Sequence, residues 1–215
     1  MKIVYITLLA LTLSACETVD KARYSALEKV GVHKRDILVD RIEATSKTQE
    51  QTKEQFQSAY EELASLVKVD DQGLEKKYKK MAKAVEDSED KAEELEDRIK
   101  SVDSVANALF SEWQEELDEY QSASLRRVSA QNLESTKQRY AAIYKKMQVS
   151  QQRVEPVLKV LQDNTLYLKH NLNARAVTSL SSEVLVIEDK VAQLISQMEA
   201  SINESKSFID SMRNN

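Results

Sequence analysis

Residues 74–120 read LEKKYKKMAKAVEDSEDKAEELEDRIKSVDSVANALFSEWQEELDEY. Taken at alternating steps of four and three, this stretch returns Leu74, Tyr78, Met81, Val85, Ser88, Ala92, Leu95, Ile99, Val102, Ala106, Leu109, Trp113, Glu116 and Tyr120. Only Ser88 and Glu116 are polar. An apolar repeat of about 3.5 residues sustained this long predicts one long helix with a left-handed coiled-coil seam. Such a helix would span roughly 70 Å. Its stripe cannot be buried against itself, so it requires antiparallel neighbours.

The rest of the chain supplies them. A first long helix is expected from about Arg35 to Lys68, with a seam of Leu38, Ile42, Thr45, Gln49, Thr52, Phe56, Ala59, Leu63 and Leu66. Its middle is polar, which predicts loose packing there. Asp70-Asp71-Gln72-Gly73 reads as a turn, with glycine for the bend and aspartates to cap the next helix. After Tyr120 the register fails, because continuing it would place Arg127 and Glu134 in the seam. A hairpin is therefore expected within Gln121 to Ala130, where Ser122, Ser124 and Ser129 offer caps. A single continuous bent helix is the rival.

A third helix is expected from about Gln131 to Leu172, through Leu133, Thr136, Tyr140, Ile143, Met147, Ser150, Val154, Val157 and Leu161, then Thr165, Leu168 and Leu172. The step of four from Leu161 to Thr165 reads as a small register slip. Pro156 inside this helix predicts a kink, because proline removes a donor and crowds the carbonyl four residues back. The chain turns after Asn171-Leu172-Asn173. A fourth helix runs on through Val177, Leu180, Val184, Ile187, Val191, Leu194, Met198, Ile202, Phe208 and Met212. The predicted fold is all-α, an elongated antiparallel four-helix coiled-coil bundle. The hairpin around residues 110–140 should project past the ends of the first and last helices.

Composition agrees. Two glycines and one proline in 215 residues are too few for a turn-rich or sheet fold. Charged residues at 31% beside aromatics at 6% are the mark of long helices with thin apolar seams.

The N-terminus locates the protein. Lys2 precedes a largely apolar run, Ile3 to Leu13, and Leu13-Ser14-Ala15-Cys16 follows. This is a bacterial export signal ending in a lipobox. In that class the signal is cut directly before the cysteine, whose thiol bears a diacylglycerol, with acyl chains such as palmitate. Cys16 is the only cysteine. The apolar run is about half the roughly 20 residues that cross a bilayer, so a cleaved signal is expected over a membrane anchor. Residues 1–15 would be removed, 16–33 would be a lipidated tether or short helix, and 34–215 the bundle. Glu17, where an aspartate would favour inner-membrane retention, points by analogy to the periplasmic face of the outer membrane.

Lys2 is the only charged residue in 1–15, so 31 basic residues become 30 against 36 acidic. The resulting net charge of −6 argues against nucleic acid as the main partner. A lone lipidated cysteine leaves no intramolecular disulfide, so packing alone must hold the chain.

The lipobox, the segment Glu17-Thr18-Val19 with Tyr24 to Asp40 after it, the acidic stretch 86–97 and Leu168-Lys169-His170-Asn171-Leu172-Asn173-Ala174 resemble a proteobacterial envelope lipoprotein family known only as a domain of unknown function. The resemblance implies a helical, envelope-located protein. It brings no activity and no catalytic residue.

No constellation suggests an enzyme or a cofactor. His33 and His170 stand in no metal spacing, and two glycines cannot form a phosphate loop. No serine sits in a Gly-x-Ser-x-Gly elbow. The acidic run from Glu86 to Asp97 reads as a solvated helix face. The surface feature of most interest is Lys76, Lys77, Lys79, Lys80 and Lys83, near a loop. In an antiparallel bundle Lys169 and Arg175 fall near the same end. These lysines either keep a long helix soluble or dock an anionic partner, such as peptidoglycan carboxylates, lipid headgroups or an acidic protein. The expected function is a lipid-anchored structural or adaptor rod bridging the membrane to an envelope protein or to peptidoglycan. The alternative is a curvature-sensing or membrane-remodelling module, which would need a basic stripe along one concave face.

Overall fold

The computed structural model describes residues 33–67 and 73–213. The expected signal peptide, Cys16, the expected tether up to residue 32 and most of the expected turn at Asp70–Gly73 lie outside the described residues. The described chain is helical throughout, with no strand. Its helices are α1 (Lys34–Leu66), α2 (Leu74–Glu116), α3 (Ala123–Gln152), α4 (Val154–His170), α5 (Ala174–Ser179) and α6 (Ser181–Arg213), with a 3-10 turn at Leu117–Glu119. An all-α bundle is therefore the fold.

The chain forms two compact units. One takes the chain up to Ile42 together with Lys100–Gln138, and the other takes Glu43–Ile99 and Arg139–Asn215. In the second unit, hydrogen bonds set an up-down order. Thr48 with Glu94, Gln55 with the Ala84 carbonyl and Lys77 with the Ser65 carbonyl run α2 antiparallel to α1. Gln162 on Glu89 runs α4 back along α2. Lys146 on Glu204 and Arg153 on Gln193 run α6 back along α3 and α4.

The seams pack as their periodicity requires. All nine expected seam residues of α1 are buried, and so are Met81, Val85, Leu95, Ile99, Val102, Ala106 and Leu109 of α2. Each such Leu, Ile or Val contributes about 1.5–3 kcal/mol by leaving water.

The polar middle of α1 is not loosely packed. Thr45, Gln49 and Thr52 are wholly buried. Gln49 Nε2 donates to Ser150 Oγ at 2.8 Å on α3 and to Ser201 Oγ at 2.9 Å on α6. Thr52 Oγ1 donates to the Thr48 carbonyl. Helix-to-helix hydrogen bonds replace apolar contact here, because buried polar groups must find partners. Gln49 Oε1 and Ser205 Oγ have none among the described residues.

Two other features depart from the sequence-based expectation. There is no register slip at Thr165, since Asn164 continues the alternation from Leu161 and is 5% exposed. Its amide donates to the Val160 carbonyl of its own helix at 2.7 Å, so it is buried without needing a partner helix. Near Pro156 the expected continuous helix is broken, one turn before the proline, whose missing N–H leaves the Gln152 carbonyl without its helical donor. The helix is interrupted at Arg153, whose N–H reaches back only three residues to Ser150. Pro156 then falls in the first turn of α4, where a missing donor costs least, and the carbonyl it would crowd is that of Gln152, the last residue of α3.

The hairpin is real, and the bent single helix is excluded. Residues 120–122 link the 3-10 turn to α3. Ser122 caps α3, accepting Leu125 N at Oγ and Arg126 N at its carbonyl. The third helix thus begins at Ala123, eight residues before the expected Gln131. Lys34 Nζ meets Glu112 Oε1 at 2.8 Å, so α1 reaches to within one turn of the end of α2. The hairpin does not project far past the first helix.

Candidate functional site

The start of α2 splits into two faces. Leu74 and Met81 turn inward and are buried. Lys76, Lys79, Lys80 and Lys83 take the opposite face by the same periodicity and are exposed. With Gly73, Leu74 and Glu75 they line an open concavity of about 710 Å³. Five lysines against one glutamate make this the basic face of the helix.

The lysines are not equivalent. Lys77 is half-buried and donates to the Ser65 carbonyl at 3.1 Å, which closes the C-terminus of α1, where carbonyls lack helical partners. Lys79 pairs with Glu75 at 2.6 Å, and Lys83 with Asp87 at 3.0 Å, both one turn apart on the exposed surface. The Lys79 hydrogen bond holds the Glu75 carboxyl below its ordinary value, and the same contact holds Lys79 above its own. Lys83 is raised by its hydrogen bond to Asp87. Lys76 and Lys80, one turn apart, have no hydrogen-bond or ion-pair partner among the described residues.

Lys169 lies exposed in the last turn of α4, and Arg175 in α5. The Gln162–Glu89 bond sets the antiparallel register, so Lys169, seven residues past Gln162, falls level with Ala82 on α2. Lys169 therefore shares an end of its unit with the lysine cluster. No hydrogen bond among the described residues joins Lys169 or Arg175 to the α2 lysines. Asn173 begins α5 as its cap, its Oδ1 accepting Ala176 N at 3.0 Å.

The acidic run below the lysines is partly structural. Glu89 takes Gln162, and Glu94 takes Lys91 at 2.7 Å and Arg98 at 3.5 Å. The Lys91 contact, ahead of the others, holds the Glu94 carboxyl below its ordinary value. No group of acidic or histidine side chains among the described residues could hold a metal ion. His33 precedes α1 and His170 ends α4, both exposed. No helix among the described residues is long and apolar enough to cross a membrane.

A family model described as "Protein of unknown function (DUF2959)" matches residues 23–212. The chain belongs to this family. No curated protein and no solved structure matches it. In this DUF2959 member, two features escaped sequence reading. One is the Lys77–Ser65 closure, because a lysine in a lysine cluster gives no sign of which neighbour it meets. The other is the exposed Leu125 and Val128 at the start of α3. The failing register after Tyr120 is the sequence signal for them, since apolar residues that fall outside a seam have no helix to cover them.

Proposed function

We propose that this protein is a lipid-anchored adaptor of the bacterial envelope, held through Cys16 on the periplasmic face of the outer membrane, with its α2 lysine face docking an anionic envelope component. The lipobox carries the reading. A lipobox with a single cysteine at the cleavage position has no role in a cytoplasmic protein. The unpartnered Lys76 and Lys80 support the docking half, because side chains that serve only helix solubility are equally well placed in pairs along the surface. Peptidoglycan carboxylates or an acidic protein face fit such a cluster.

Two experiments test the halves separately. Cys16→Ser should leave the membrane fraction, and mass spectrometry of the native protein should find acyl chains on Cys16. A variant that stays in the outer-membrane fraction, with an unmodified wild-type cysteine, ends the anchor reading. For docking, Lys76→Glu with Lys80→Glu is cleaner than reversing the whole cluster. It spares Lys77, which closes α1, and Lys79, which already has a carboxylate. Helicity should not change, because both residue types are good helix formers. Salt-sensitive binding to isolated peptidoglycan and envelope proteins should be lost, since exposed charges are screened within roughly 8 Å at physiological salt. Wild-type binding by this variant would reduce the lysines to a solubilising coat.

A further inference from the structure

Large apolar side chains are exposed in two places, at the hairpin and at Leu166 and Tyr167 of α4 with Leu185 and Val186 of α6, and only the first lies near the point where the chain enters its unit. Tyr120, Leu125 and Val128 are 41, 58 and 49% exposed, and they lie within nine residues of one another. Arg126 and Arg127 stand exposed among them. Arg126 pairs with Asp118, which ties the start of α3 to the 3-10 turn. The underlying hairpin is firm: Leu117 is buried, and Trp113 Nε1 donates to Ser129 Oγ at 2.8 Å across the two arms. The apolar side chains are therefore displayed on a built support, not on a loose loop.

The entry point of the chain gives this surface a partner. Lys34 starts α1 with its ammonium on Glu112, and Glu112 is eight residues before Tyr120. The chain thus enters this unit on the hairpin side. Only the 17 residues Glu17 to His33 separate Lys34 from Cys16. Even fully extended they span no more than roughly 60 Å. An acylated Cys16 would keep the hairpin near the bilayer at high effective concentration.

We infer that the hairpin tip is a membrane-facing surface, with Tyr120, Leu125 and Val128 entering the headgroup region and Arg127 meeting lipid phosphate. The inference rests on the anchor reading. A tyrosine beside aliphatic side chains suits the interface, where one end is apolar and the other wet. Arginine suits phosphate, which it binds in bidentate fashion. Arg127 has no partner among the described residues and is the free cation of the tip. The acylated protein would rest on the bilayer by its hairpin and hold a defined orientation.

The test uses the full acylated protein in vesicles of phosphatidylethanolamine and phosphatidylglycerol, with and without lipid brominated on its acyl chains. Two variants carry an added indole, Leu125→Trp at the tip and Leu185→Trp at an exposed position of α6 (68% exposed). Flotation with the vesicles reads the anchor, and bromine quenching beyond that of the wild type reads the tip. The L125W emission should be quenched several-fold more than the L185W emission. Adding Tyr120→Ser, Val128→Ser and Arg127→Glu should remove the difference while flotation persists. A protein that floats but shows equal quenching at both positions overturns the inference and leaves the anchor intact. A protein that does not float and carries no acyl chain overturns both. Should the L125W emission instead shift with protein concentration in detergent, without bromine quenching, a second copy of the chain covers this surface and the inference fails.

Discussion

Leu161→Asp should unfold much of the protein. Leu161 is wholly buried on α4, between the buried Val157 and Asn164. The change removes the apolar contacts of a core leucine and places a carboxyl where no partner is provided. The lost packing alone costs roughly 2–5 kcal/mol, and the desolvated polar group adds to it. Domains of this kind are stable by only about 5–15 kcal/mol in all, so the loss is a large fraction. Urea unfolding followed by circular dichroism should show a midpoint collapsed toward zero denaturant. The control is Leu185→Lys on the exposed face of α6, which should behave as wild type. If Leu161→Asp keeps the wild-type midpoint, residue 161 is not in a packed core and the assigned packing of α4 is wrong.

The second large effect concerns the hydrogen-bonded centre around Gln49. Gln49→Ala removes both donors to Ser150 and Ser201 and leaves a void in a wholly buried position. A loss of roughly 2–4 kcal/mol is expected from the void and the broken bonds together. The triple change Gln49→Met, Ser150→Ala and Ser201→Ala should act in the opposite direction. It fills the volume and removes the partnerless Gln49 Oε1, so stability should match or exceed the wild type. Chemical denaturation of the two variants side by side decides this. Equal destabilisation by both would mean that the polar centre adds stability of its own. The opposite signs would show that it is retained for something else, for which pairing register is the best-attested use of buried polar side chains.

How much of this could be read in the amino acids differs from residue to residue. The seam positions were readable, Thr45, Gln49 and Thr52 included, because helical periodicity depends on spacing and not on neighbours. The partners of Gln49 were not, since Ser150 and Ser201 are 101 and 152 residues away and only the folded register brings them together. The burial of Asn164 is not legible in the sequence, because an amide is usually solvated. Its bond to a carbonyl of its own helix is what makes burial tolerable here. No glycine or proline marks the start of α3, and the Ser122 cap alone sets it. The lysine cluster was visible as composition. The closure of α1 by Lys77 was visible only in three dimensions.

The Trp113–Ser129 bond has a practical consequence for anyone who watches this protein unfold. The chain has one tryptophan, and it sits in the unit that contains the hairpin. Indole emission therefore reports the opening of that unit and is blind to the other. Far-ultraviolet ellipticity counts every helix. Superimposable curves from the two signals would establish one cooperative transition. Separated curves would establish that the units melt independently, and the gap between them would measure the coupling.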